Sequence, residues 1–296
     1  MELSWLTKLR IVAALALGAI GLGLGAWPLV APADPLGVVS ASSIQPKEML
    51  VLIVLSGLTG FAAYFLAWPH GHQIGVLSVP AALALWGIRS GEVFRLMQRS
   101  PDVPQRLGVY ALLRWDSLFW LVLVGAGLAG LWVASRLLPA PLYRDPLQVS
   151  RPKTKAALDW IVGLLLGLTI GHVVVTVLAQ GTRLTGVALP AQPAPAQIAF
   201  AAMVGFGAAG FVTGRLLRLG PFVGAAASAA LPIVASCLYA RTPMMETVER
   251  YYPATCFPSP VLAILPVQMV AFGALGATAG YWMAVRFEYW RTHLAT

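Results

Sequence analysis

The sequence predicts an all-α polytopic membrane protein, with eight transmembrane helices arranged as two parallel four-helix repeats. Three observations predict this. Apolar residues make up 58% of the 296 and charged residues only 10%, where soluble domains carry about 25% charged residues. Eight apolar segments recur, at 11–30, 49–68, 74–88, 117–138, 160–179, 198–217, 222–240 and 261–285, and most reach the roughly 20 residues needed to cross about 30 Å of hydrocarbon. Finally, AGLAGLWVASR at 126–136 returns as GATAGYWMAVR at 276–286. Two-residue alternation and aromatic girdles are absent, which disfavours a closed β-barrel.

The first segment follows Lys8 and Arg10 and ends in Ala31-Pro32-Ala33, an A-x-A-like pattern. Its apolar run of 20 residues exceeds the 7–15 of a signal peptide, so a retained helix is expected. Its Leu15, Leu17 and Gly18 match Leu164, Leu166 and Gly167 of the fifth segment. The second and sixth segments share Gly57-x-x-Gly60-Phe61 and Gly207-x-x-Gly210-Phe211 at a spacing of 150. The third and seventh share a ladder, Pro80, Arg89 and Pro101 against Pro232, Arg241 and Pro253, at a spacing of 152. The fourth and eighth carry the repeated phrase. An internal match of this extent indicates duplication. An even number of spans per unit makes the units parallel.

The units are expected at 1–138 and 156–296, joined by a cytoplasmic linker at 139–155 whose prolines and charges cannot continue a helix in lipid. Between the third and fourth spans of each unit, SGEVFRLMQRS and PMMETVERYY read as short helices lying along the membrane surface. With both termini in the cytoplasm, eleven Lys and Arg residues fall on the cytoplasmic side and nine on the other, five of them between Arg89 and Arg114. That loop breaks the positive-inside tendency, yet the alternative expels the basic linker. The expected location is therefore the cytoplasmic (inner) membrane, multi-pass.

Trp132 with Arg136, and Trp282 with Arg286, stand four residues apart at the end of an apolar run, which suits an interfacial anchor with the guanidinium in the headgroups or over the indole. The glycines of the repeated phrase let helix backbones approach closely. Pro80 and Pro232 are expected to kink the third helix of each unit and free the carbonyls of Val76 and Ser228. Interrupted spans in corresponding places of two repeats point to a transporter's binding site, with a kink that merely shapes the bundle as the alternative. His172 lies about a dozen residues into the fifth apolar segment, and Thr169, Thr176 and Gln180 share its helical stripe. Such a stripe is a candidate ligand-binding face, or else the histidine is satisfied by a neighbouring helix.

Chemistry beyond this is sparse. His70 and His72 supply two nitrogens where zinc needs three or four ligands, so no metal site is expected. Haem ligation through His172 would require a second mid-membrane histidine, and no cofactor is expected. Cys237 and Cys256 fall near one membrane face, as a disulfide or as two separate thiols. The net charge of +9 is scattered among short loops rather than gathered on a soluble face, which speaks against a nucleic-acid partner. Nucleophile elbows, P-loops and metalloprotease signatures are missing. The expected partners are the lipid bilayer and other membrane subunits. The function read from the sequence is a non-enzymatic membrane protein that binds or transports a small solute, ion or lipid between its repeats. The alternatives are a structural or assembly subunit of a larger complex and an intramembrane enzyme.

Overall fold

The computed structural model describes residues 4–139, 153–180, 192–251 and 257–294, and no strand occurs among them. The chain runs through α1 (Trp5–Ala16), which continues as a π-helix (Leu17–Leu24), then α2 (Trp27–Val30) and α3 (Pro46–Leu66). A broken helix follows, made of α4 (Gly71–Ile74), a 3-10 turn (Gly75–Leu77) and α5 (Ser78–Arg89). Next come α6 (Val93–Arg99), α7 (Val103–Leu137), α8 (Lys153–Leu178), α9 (Pro195–Leu217), α10 (Phe222–Tyr239), α11 (Thr242–Tyr251) and α12 (Pro266–Leu294).

Among the described residues, seven helical stretches are long and apolar enough to cross a membrane: Trp5–Leu24, Pro46–Leu66, Gly71–Arg89, Val103–Leu137, Lys155–Leu178, Pro195–Leu217 and Phe222–Tyr239. The protein is therefore a helical, multi-pass membrane protein. The segment expected at 261–285 is not among the seven. It forms most of α12, whose 29 residues are long enough to span, but its neighbours are protein. From Val267 to Ala274 every residue is buried, and α12 packs against α9, α5, α10 and α7. A helix walled by protein needs no lipid-facing surface, so Gln268 and Thr278 fit within it, both buried and hydrogen-bonded.

The rest of the bundle is arranged around α12. The π-helix lies along α5, α3 along α7, and α8 along α9 and α10. The helices α1, α3 and α8 are the most exposed, each with less than a third of its apolar window buried. Between the halves of the chain, α5 meets α12 and α10 meets α7.

Among the close helix crossings, two match each other and leave no room for a Cβ. A Cβ at Gly60 would collide with the backbone of Gly127, and one at Gly130 with the Gly57 carbonyl and the Phe61 nitrogen. In α9 and α12, a Cβ at Gly210 would strike the backbone of Ala277, and one at Gly280 the Gly207 carbonyl and the Phe211 nitrogen. Every member of the second set stands 150 residues after its counterpart in the first. Without a hydrophobic driving force between helices in lipid, such contact supplies the packing energy.

The third helices differ from expectation. Ser78 donates to the Gly75 carbonyl at 2.8 Å and Ser228 to the Ala225 carbonyl at 2.7 Å, again 150 residues apart. The prolines follow these serines by different distances, so they occupy unlike places. Pro80 is the third residue of α5, in a first turn where a missing N–H costs little. The break in this span is the 3-10 turn before it. Pro232 is interior to α10 and removes the hydrogen bond to Ser228.

The segments outside the spans form a cap on one face. There α6 buries Val93 and Met97, and α11 buries Met245. Gln192 ties the cap together by accepting from the Phe94 N–H at 3.2 Å and donating to the Ala263 carbonyl at 2.9 Å.

Candidate functional site

His172 sits on α8 and meets Tyr239, the last residue of α10. The imidazole Nε2 lies 3.1 Å from the phenol oxygen, and the rings stack at 5.9 Å with 14° between their planes. Each side chain is half-buried. The helix begins at Lys153, before the apolar segment, so His172 is six residues from its far end at Leu178, about 9 Å along the axis. Within the apolar stretch Lys155–Leu178, the histidine lies about as far from the middle as from that end.

The polar stripe divides at this point. Thr169 faces outward and satisfies its hydroxyl with the Leu165 carbonyl of its own helix at 2.9 Å. The Thr176 hydroxyl oxygen is buried and has no hydrogen-bond partner among the described residues. Past the end of α8, Gln197 donates to the Leu178 and Gln180 carbonyls at 2.8 and 2.7 Å, closing the helix terminus. His172 and Tyr239 therefore form a polar pair joined by one hydrogen bond, in a direction set by the imidazole tautomer.

Pro80 and Pro232 are both buried, on helices that each lean on α12. The Arg136 guanidinium lies 4.8 Å over the Trp132 ring, as the four-residue spacing predicts. Arg286 departs from its counterpart and lies 4.9 Å over Trp290 instead of Trp282. Trp282 packs instead beside Tyr281 and Ala284, because α12 continues for two more turns and offers a second indole beyond the arginine. The Cys237 thiol is exposed on α10, and its possible partner Cys256 lies outside the described residues. His72 meets the edge of Tyr64 at 5.3 Å. Among the described residues, no three His, Cys, Asp or Glu side chains gather as metal ligands do.

Three further polar arrangements are made by the fold. Asp116, buried on α7, accepts the Ala41 N–H at 2.9 Å. It thereby caps the 3-10 turn at Ala41–Ser43 from 75 residues away. Glu288, buried on α12, pairs with Arg215 of α9 and with Arg291, each at 2.9 Å. Arg89, at the end of α5, lies 4.1 Å over the Trp27 ring beside a cleft of about 280 Å³. Only the first of these has a pattern that sequence reading could have used: an acid at the edge of an apolar run needs a partner.

Comparison with known protein families, with curated proteins and with solved structures returned no match to this chain.

Proposed function

We propose that the chain is a non-enzymatic membrane scaffold, a structural or assembly subunit built from two like four-helix units, 1–138 and 156–296, joined by the linker at 139–155. In this reading α12 is an eighth crossing, sheltered from lipid, and the units are parallel with both termini on the cytoplasmic side of the inner membrane. The repeated seam contacts at a spacing of 150 residues support the duplication.

The observation that carries the scaffold reading is the filling of the junction between units. Transport by rocking of two repeats needs a junction that parts around a midplane site. Here Val267, Met269, Val270 and Phe272 of α12 and Trp86 of α5 belong to one continuous buried cluster. Gln268 donates from α12 to the Gly87 carbonyl of α5 at 2.9 Å, with both groups buried. Separating the units would strand that amide and carbonyl in a dry interior, at about 1–3 kcal/mol for each unsatisfied group.

The test is purification in a gentle detergent from the native membrane. The scaffold reading expects other membrane subunits to remain bound in fixed ratio. A monodisperse lone chain with no co-purifying protein would sink it.

A second reading, binding or passage of a small solute, ion or lipid, is favoured by the His172–Tyr239 pair and the unpartnered Thr176 hydroxyl. It expects His172→Phe and Tyr239→Phe to abolish uptake or binding in a solute screen. Unchanged behaviour in both variants removes it.

A further inference from the structure

Arg89 and Trp27 come from different helices and meet at the edge of the cap. The cleft beside them is lined by Trp27, Ala31, Pro32, Pro35 and Arg89. Its volume of about 280 Å³ is at the lower edge of ligand pockets, which run from about 300 to 1,000 Å³, so it suits a small head group. One wall is the segment after α2, and it is fastened in place. The Gly91 N–H donates to the Gly37 carbonyl at 2.9 Å, and the Val39 N–H donates to the Ser90 hydroxyl at 2.8 Å. A Cβ at Gly91 would collide with the carbonyls of Leu36 and Gly37. Asp34, the acid nearest the cleft in sequence, pairs with Arg99 and accepts the Leu36 N–H.

Arg89 is exposed and, among the described residues, has no carboxylate partner. Its flat face is engaged by the indole. Stacking of this kind leaves the in-plane N–H donors pointing outward, in the fork that suits phosphate oxygens. The other Arg–Trp contacts, Arg136 with Trp132 and Arg286 with Trp290, each join residues four apart on one helix. Among the described residues, only Arg89 and Trp27, 62 positions apart, form an Arg–Trp contact brought together by tertiary structure around a cleft. Trp at a helix end marks the headgroup level of a bilayer, where phosphate is the commonest anionic group.

We propose that the Arg89–Trp27 cleft binds a phosphate-bearing anion, with Arg89 gripping two phosphate oxygens and Trp27, Pro32 and Pro35 holding the glycerol-like part. This goes beyond the scaffold reading and does not depend on it. The phosphate belongs to a lipid headgroup or to a soluble phosphate ester, and the experiment separates the two.

The full chain in a maltoside detergent is mixed with phosphatidylglycerol or with a phosphate-free glycolipid, and bound lipid is counted by native mass spectrometry, with and without glycerol 3-phosphate. Wild type is expected to retain phosphatidylglycerol at least tenfold over the glycolipid. Retention that resists glycerol 3-phosphate identifies a lipid site, and displacement by it identifies a site for soluble esters as well. Arg89→Gln is expected to lower retention at least tenfold. Pro35→Glu, which places a carboxylate at the exposed rim, is expected to do the same without touching the core. Arg136→Gln, an equal change of charge, is expected to behave as wild type. Three outcomes overturn the proposal: no preference for phosphatidylglycerol and no binding of glycerol 3-phosphate, full retention by Arg89→Gln or Pro35→Glu, or an equal loss in Arg136→Gln. If Arg89→Gln does not fold, Pro35→Glu decides alone.

Discussion

The pairs α3/α7 and α9/α12 share one crossing and differ in how it is closed. At the crossing three contacts recur at matching positions, and Gly130 and Gly280 each abut a glycine carbonyl of the partner helix. At the end of the first pair, the Tyr64 hydroxyl donates to the Leu138 carbonyl at 2.8 Å. At the corresponding end of the second, Arg215 and Arg291 hold the buried Glu288 carboxylate. Close backbone packing leaves one residue type at the crossing, because any side chain there displaces a whole helix. The ends lie near the headgroups, where a neutral hydrogen bond and an ion pair both find solvation, so chemistry is free to diverge.

The strongest way to break this comparison is at the crossing. Gly280→Leu and Gly130→Leu are each expected to destabilise by at least about 3 kcal/mol, the upper range for overpacking, since backbone blocks the added side chain. Gly125→Leu is the control, because nothing lies within 4 Å of a Cβ there, and it is expected to stay within about 0.5 kcal/mol. Thermal unfolding in detergent reads all three. Equal effects at Gly280 and Gly125 would deny the seam its role.

The ends are expected to separate by a smaller margin. Glu288→Ala leaves Arg215, whose side chain is 24% exposed, without its partner. The expected loss is about 2 kcal/mol, between the values for exposed and fully buried pairs. Tyr64→Phe removes one neutral hydrogen bond and should lose about 1 kcal/mol. A larger loss from Tyr64→Phe than from Glu288→Ala would reverse the account of the two ends.

Asp116→Asn offers a comparison between spans and cap. It replaces the carboxylate that accepts the Ala41 N–H and should loosen the turn at Ala41–Ser43 by about 1–2 kcal/mol. Hydrogen exchange at the Ala41 amide checks this, and exchange unaltered from wild type would show that the turn holds without the carboxylate.

The smallest effect expected is the pH response of the cap. The Leu36 N–H, and then Arg99, hold the exposed Asp34 carboxyl below its ordinary value of 3.8. A depressed folded value means the tether is fully present above 3.8 and is lost as pH falls through the lower folded value. A carboxyl-carbon NMR titration should show a midpoint below 3.8, moved upward by Arg99→Gln. A midpoint unaffected by that substitution would remove Arg99 from the tether.

Much of the organisation was legible in the chain because lipid imposes a single rule on every span. Seven of the expected segments contain or overlap the apolar helices observed. SGEVFRLMQRS folds as α6 with Val93 and Met97 inward, as its helical spacing demands. The candidate site was less legible. His172 gave no sign of its partner in sequence, because Tyr239 is 67 residues away on another helix. The spacing of 152 between prolines masked the spacing of 150 between Ser78 and Ser228, since a proline is conspicuous in sequence and a serine bonded to its own helix is not.

By itself the sequence determined that this chain crosses membranes as helices, where the spans lie, and which glycines could lie at close crossings. Those properties follow from local composition, because each residue meets lipid or a loop independently. Only the tertiary structure decided that the first half of α12 lies within protein, that Asp116 caps a turn 75 residues away, that His172 meets Tyr239, and that Arg89 stacks on Trp27. Each of these depends on which helix faces which, and a helix in lipid can turn any of its faces inward until its neighbours are in place.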